Sequence, residues 1–308
     1  MASLSRSSSS GQIEVLPFEA ALGAEVVFSD VTKINAKVIK SIRTALLDNL
    51  IILIRGQSLS IDQLLDFGRQ FGELTASAPV HIGQAVRTHA ELSIISNVIE
   101  NGQAIGSLGD GEAVWHTDSA FLRIPPSLSI LHSIEIPPFG GDTSFTNMYL
   151  ALERLPRELR QAIRGRTIKH DMRYTSGGQL RAGYDPNQDV RESPGVSHPI
   201  VRQHPETANN ALYLGRRPFA YINGMNLVES DDLINRLWAH AVKPEYIWNH
   251  QWRIGDIIIW DNRCTMHRRE AFDPTTRRIM HRTQCQGNLP IESAEETIAH
   301  PRSISFIK

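Results

Sequence analysis

Apolar residues recur every four positions at Val38, Ile42 and Leu46, which predicts a helix that buries one face. Directly after it Leu50–Ile54 is uninterruptedly apolar and short, the pattern of a strand buried on both faces. Ser60 followed three residues later by Gln63 predicts a capping box, opening a helix through about Phe71. From about Leu74 to Gly111 the periodicity disappears and glycines accumulate at 83, 102, 106, 109 and 111. A long aperiodic stretch of this kind inside a folded chain is a candidate mobile cover over a site. Beyond it β-type runs dominate: Leu128–Ile136, Ser144–Asn147, Ala211–Leu214, Tyr246–Trp252 and Ile257–Trp260. Turn residues separate them, as at Pro137-Pro138 with Gly140-Gly141 and at Gly255-Asp256. Two helices interrupt the strands, one from Pro156 to Gly165 and one from a Ser230 cap to just before Pro244. The second carries an apolar face of Leu233, Ile234, Leu237, Trp238 and Ala241, which must pack on the sheet. The expected fold is mostly β with flanking helices, a sandwich or barrel of the jelly-roll (double-stranded β-helix) type.

No linker is visible within residues 13–308, so they are read as a single domain, and the serine-rich residues 1–12 as a disordered tail. The composition adds exclusions. A net charge of -1 gives no bulk reason to expect nucleic acid or an anionic membrane as partner, so any bound anion must meet local arginines. The two cysteines, Cys264 and Cys285, cannot form a disulfide framework, which favours a reduced, cytoplasmic setting. The first dozen residues lack the apolar core of a signal peptide, and the longest apolar run is far too short to span a membrane.

Candidate chemistry starts at His116-Thr117-Asp118. Alternate residues of a strand point to one face, so an imidazole and a carboxylate at this spacing can supply two neighbouring metal ligands. The spacing alone is weak, since His89-x-Glu91 and His204-x-Glu206 repeat it. Context separates them: Trp115 precedes the first, Phe121 and Pro125-Pro126 follow, and a buried run begins at Leu128. His204, in contrast, is followed by Pro205, which cannot donate to a sheet ladder.

The second cluster, Trp260 to His267, follows the apolar Ile257–Ile259 run, so His267 is expected at a strand end facing the same cavity. Two histidines and one carboxylate form the facial triad of iron(II) oxygenases and leave three coordination positions open. Six arginines crowd residues 263–282. Arg268, Arg269 and Arg277 read as a solvated face. Arg278 and Arg282, four apart, read as one strand face aimed at a cavity, where a buried guanidinium suits bidentate capture of a carboxylate.

Six stretches in order, ILIRGQSLSIDQ, FGRQFGEL, WHTDSAFLRIPPSLSIL, PPFGGDTSF, WDNRCTMHR and RRIMHRT, resemble the taurine dioxygenase / 2,4-dichlorophenoxyacetate dioxygenase family of Fe(II)/2-oxoglutarate enzymes. The resemblance runs from about Ile13 to Gly287. It implies that His116, Asp118 and His267 are the iron ligands and that 2-oxoglutarate and O2 are cosubstrates. It further implies that Thr143 and Arg278 bind the far carboxylate of 2-oxoglutarate, while Arg282 faces the substrate's acidic group. Val80, His81, Ile82 and Leu108 would cover the bound substrate. The implied reaction is hydroxylation of a C–H bond with release of succinate and CO2; a halogenating relative would lack the carboxylate that Asp118 supplies.

Departures bear on the substrate, which is expected to be a small organic anion. Ala78 and Glu112 stand where taurine enzymes place a histidine and an asparagine, which points away from taurine and toward a carboxylate such as an aryloxyalkanoate. A sulfonate or sulfate ester is the alternative, and a homo-oligomer the expected assembly. A zinc hydrolase on the same three ligands is the rival from another class; it would need no arginine clamp and would not consume O2. A non-catalytic binding protein would need no complete triad.

Overall fold

The strand Ile51–Ile54 forms where the apolar run predicts it, and all four side chains are buried. In the computed structural model, which describes residues 13–76, 89–215 and 220–293, it lies inside an eight-stranded sheet. Across that sheet the strands run Glu14–Pro17, Ala24–Val27, Ile51–Ile54, Ile257–Asp261, Leu128–Glu135, Ile279–Cys285, Ser93–Ser96 and Ser107–Leu108. Two pairings are parallel, Ala24–Val27 with Ile51–Ile54 and Ser93–Ser96 with Ser107–Leu108; the others are antiparallel. A second, antiparallel sheet orders Ile247–His250, Thr143–Asn147, Thr265–Arg269 and Ala113–His116.

Alternation along the central strands assigns each face its partner. Ile51, Leu53, Ile258, Trp260 and Leu131 join one core with Phe145 and Met266 of the second sheet. Ile52, Ile54, Ile257, Ile259 and Ile130 turn the other way, onto Val38, Ile42, Leu46, Leu64 and Phe67 of two helices. The helix Ala36–Asn49 is capped by Asn35, whose side chain accepts from the Val38 N–H, and stops at Leu50 in the left-handed region (φ 68). Each of its fully buried apolar side chains contributes at most about 1.5–3 kcal/mol. The helix Ile61–Arg69 carries the expected capping box between Ser60 and Gln63.

Several expectations need correction. The long helix runs Leu227–Ala241 and starts before Ser230, because the Asn226 side chain caps it through the Glu229 N–H. Ser230 Oγ instead accepts from the Ile222 N–H at 2.9 Å, tying the helix to a neighbouring strand. The helix Met148–Glu153, capped by Asn147, has no forewarning in the periodicity. The stretch read as a mobile cover contributes Ser93–Ser96 and Ser107–Leu108 to the larger sheet. Its part carrying Val80, His81 and Ile82, and the tail over residues 1–12, lie outside the described residues. Both cysteines are free and buried. Among the described residues no helix is long and apolar enough to cross a membrane.

Candidate metal centre and its cavity

Cross-strand register brings the two distant histidines together. His267 lies directly opposite His116 where Thr265–Arg269 pairs with Ala113–His116, and the ring centroids are 4.2 Å apart. Asp118 completes the group, with Oδ1 3.5 Å from His116 Nε2 and 3.8 Å from His267 Nε2. One ligand atom from each of the three falls within 4.8 Å of the others, and all three residues are buried. Strand alternation is not what aligns His116 with Asp118, however. The strand ends at His116, and Asp118 sits in the following turn beside Ser119, whose φ is 49.

The donor set fits a metal ion. His116 Nδ1 donates to the Val114 carbonyl at 2.6 Å, which leaves Nε2 as the lone-pair nitrogen. His267 is held by rings, with Trp260 at 4.8 Å and Phe145 at 5.9 Å between centroids. Burial, reinforced by His116, pushes its imidazole down to about 3, so it stays neutral and able to coordinate. Burial works against ionisation of Asp118, yet Arg282, His267 and His116 outweigh it and hold the carboxyl well below the usual range. Two imidazoles and one carboxylate are the ligand types of a facial triad.

Residues that sequence reasoning missed orient the carboxylate. Asp118 Oδ2 accepts from Ser129 Oγ at 2.8 Å and from Gln284 Nε2 at 2.9 Å. Asn262 Nδ2 donates to the same Ser129 Oγ at 2.8 Å, and Trp260 Nε1 donates to Asn262 Oδ1 at 2.9 Å. Trp260 and Asn262 therefore support the Asp118 carboxylate through a hydrogen-bond chain; a polar residue directly after an apolar strand was the available signal.

The decoys resolve otherwise. His204, Asp261 and Cys264 also cluster, but His204 Nδ1 accepts from two backbone N–H groups and its Nε2 donates to Asp261 at 3.1 Å. Arg263 grips the same carboxylate through two nitrogens, at 2.8 and 2.6 Å. The imidazole and the carboxylate there are already engaged, so the cluster is structural. His89 meets Asp62 at 3.0 Å at the surface.

Arg278 is 2 % exposed and makes no ion pair among the described residues; its Nε has no hydrogen-bond partner and its Nη2 reaches the Gly141 carbonyl at 3.4 Å, while Asp142 acts on it at longer range. Burial, with the nearby charge of Arg269, pushes the guanidinium down to about 9. Gly141 (φ 71) makes room for it: a Cβ there would stand 3.2 Å from Arg278 Nε. Thr143 is buried, and its Oγ1 accepts from Trp252 Nε1 at 3.0 Å, leaving the hydroxyl proton to donate elsewhere. Arg278 and Arg282 do not share a face by simple alternation. Arg278 precedes the Ile279–Cys285 strand, and the register shifts between Ile279 and Met280. The solvated-face reading holds for Arg277, which bridges Glu100 and Glu135, but not for Arg269. Arg269 is buried, donating to the Leu108, Gly109 and Gly111 carbonyls and lying over Phe272, as does Arg278.

A cavity of about 340 Å³ opens on the cluster, lined by His116, Asp118, Arg282, Leu108, Phe121 and Arg181 among others. Arg282 Nη1 donates to Asp118 Oδ1 at 3.1 Å while its Nε is buried without a partner. Leu108 holds a left-handed backbone, φ 75, at the wall. A second cavity of about 250 Å³ near Gly165 shares no lining residue with the first.

Residues 13–284 match the model of the taurine catabolism dioxygenase TauD, TfdA family. An alpha-ketoglutarate-dependent 2,4-dichlorophenoxyacetate dioxygenase of Burkholderia sp. (strain RASC) is 31 % identical over 77 % of this chain and 82 % of its own. Pentalenolactone F synthase of Streptomyces arenae is 32 % identical over 87 % and 93 %. A solved taurine dioxygenase from Burkholderia xenovorans superposes with a TM-score of 0.72 at 33 % identity, covering 93 % of this chain and 98 % of that one. The chain belongs to the taurine catabolism dioxygenase TauD, TfdA family of 2-oxoglutarate-dependent enzymes.

Proposed function

We propose that His116, Asp118 and His267 hold iron(II), and that the enzyme hydroxylates a small organic anion, best an aryloxyalkanoate carboxylate, with consumption of 2-oxoglutarate and O2. The observation that carries this reading is Arg278: a buried guanidinium that makes no direct ion pair among the described residues, with Asp142 acting on it only at longer range, in a chain that also gathers two histidines and a carboxylate into one buried cluster. A hydrolytic zinc site would have no use for such a cation, whereas 2-oxoglutarate brings the missing carboxylate.

Held by His116, Asp118 and His267, iron(II) would supply the redox chemistry that couples O2 to conversion of 2-oxoglutarate into succinate and CO2. The chain's own residues do the rest. Ser129 and Gln284 fix the Asp118 carboxylate, and the Val114 carbonyl fixes the His116 tautomer. Arg278 clamps the far carboxylate of the cosubstrate, and Thr143 adds a hydroxyl donor already oriented by Trp252. The unpartnered Nε of Arg282 is directed to the substrate's acidic group. Leu108 walls the cavity with an apolar side chain that helps exclude water. Two sheets packed through one shared core support a jelly-roll (double-stranded β-helix) core, and residues 13–308 are proposed as a single domain working as a homo-oligomer.

The substrate assignment is tested by measuring 2-oxoglutarate decarboxylation stimulated by an aryloxyacetic acid and by taurine. Stimulation by the aryloxyacetic acid is expected. Efficient turnover of taurine with no response to any carboxylate would overturn it.

A further inference from the structure

Resting on the proposed function, the geometry points to Arg181 as a second anion-binding residue of the substrate cavity, so that the substrate class is a small organic dianion with its two acidic groups spaced apart. Arg181 lines the cavity that opens on His116 and Asp118, as Arg282 does. The two arginines differ in what neutralises them. Asp118 is the only carboxylate among the described lining residues, and it is engaged by Arg282. Arg181 has no acidic partner among the described residues, and its Nε is buried without a hydrogen bond.

An uncompensated cation in a partly dry cavity needs a reason, because desolvating a charge without a partner is costly. Arg181 is also held in place. Its guanidinium lies over the Phe121 ring at 5.2 Å, and its backbone N–H donates to the Arg173 carbonyl at 2.7 Å. Arg173, 4 % exposed, roots the hairpin by gripping Asp171 and the carbonyls of Asp185 and Gln188. The same hairpin docks on the strand of His116, where the Val114 N–H donates to the Ser176 carbonyl at 3.0 Å. Arg181 is thus positioned relative to the metal ligands before any substrate arrives, as a specificity-determining contact requires. Thr175, Ser176 and Gln179 line the cavity beside it and add polar groups around an acidic head.

The test is an anaerobic calorimetric titration of the iron- and 2-oxoglutarate-loaded protein with phenoxyacetate, a monoanion, and with 4-carboxyphenoxyacetate, a dianion of the same frame. The wild-type protein should bind the dianion at least about tenfold more tightly, one charge contact being worth a decade or more. Arg181→Ala should lose that preference while keeping the wild-type affinity for phenoxyacetate and for 2-oxoglutarate, and Arg181→Lys should restore part of it. Should the alanine variant not fold, Arg181→Gln carries the same reading. Equal binding of both acids by the wild type, no binding of the dianion, or a parallel loss of both acids in the variant overturns the inference. Failure of 2-oxoglutarate to bind the wild type instead overturns the proposed function beneath it.

Discussion

Arg278→Met should move stability and cosubstrate affinity in opposite directions. In the free enzyme the guanidinium is 2 % exposed, with one long contact to a carbonyl; a second cation, Arg269, acts against it and Asp142 offsets this only in part. Its pKa of about 9 keeps it charged at neutral pH, so the free protein carries the cost of a buried unpaired cation under all ordinary conditions. Replacement by an apolar side chain of similar length should stabilise the free protein by about 1–4 kcal/mol, taking as a guide the range for buried ion pairs replaced by packed hydrophobic groups. The same change removes a desolvated arginine–carboxylate contact, on the order of 2–4 kcal/mol, so the apparent KM for 2-oxoglutarate should rise roughly 30- to 1000-fold. Saturating 2-oxoglutarate should raise the melting temperature of the wild type, since a ligand at a hundred times its Kd adds about 2.7 kcal/mol, and should add less than about 1 kcal/mol to the variant at the same concentration. Thermal unfolding with and without 2-oxoglutarate, beside a KM measurement, reads all three effects. Unchanged 2-oxoglutarate affinity with collapsed substrate binding would show that Arg278 and Arg282 have exchanged roles. A destabilised free variant would refute the account of Arg278 as an uncompensated cation.

Two further changes test the scaffold apart from the chemistry. Ser60→Ala removes the cap of the Ile61–Arg69 helix and should cost about 1 kcal/mol in urea unfolding, with KM values untouched. His281, facing His132 across the strands, is kept neutral by burial, with its pKa down at about 4. Because the folded value lies below the ordinary 6.5, its contribution is fully present above about pH 6.5 and is lost as pH falls toward 4. His281→Leu should therefore flatten the acid limb of stability between about pH 7 and 4, and an unchanged limb would exclude His281 as a source of acid sensitivity.

Much of the fold is legible in the chain because local rules and tertiary needs agree. The four-residue spacing of Val38, Ile42 and Leu46 and the Ile51–Ile54 run decide the two faces of the larger sheet, and the Ser60–Gln63 box forms as written. Where two local signals compete, the sequence is ambiguous: Asn226 and Ser230 are both good caps, and only the hydrogen bond to Ile222 shows why the serine is not the one used. The distant histidines can be paired on paper, but their meeting depends on strand register, which no short motif encodes. Asp118 does reach the two histidines, but a turn rather than strand alternation delivers it. Arg269 misleads because a charged residue in an arginine-rich run looks solvated, and nothing local reveals the three carbonyls waiting for it. Gln284 is invisible to motif reading because it acts on Asp118, 166 positions away along the chain.

The central claim is that the buried His-Asp-His cluster is an iron site driving 2-oxoglutarate oxidation. The most direct measurement is succinate formed per O2 consumed by the purified protein with 2-oxoglutarate, a carboxylate substrate and either Fe(II) or Zn(II), for the wild type and Asp118→Ala. Equal amounts of succinate and O2, dependent on Fe(II) and abolished in a still-folded Asp118→Ala, are predicted. Full turnover by that variant, or turnover supported by zinc without O2 consumption, would contradict the account.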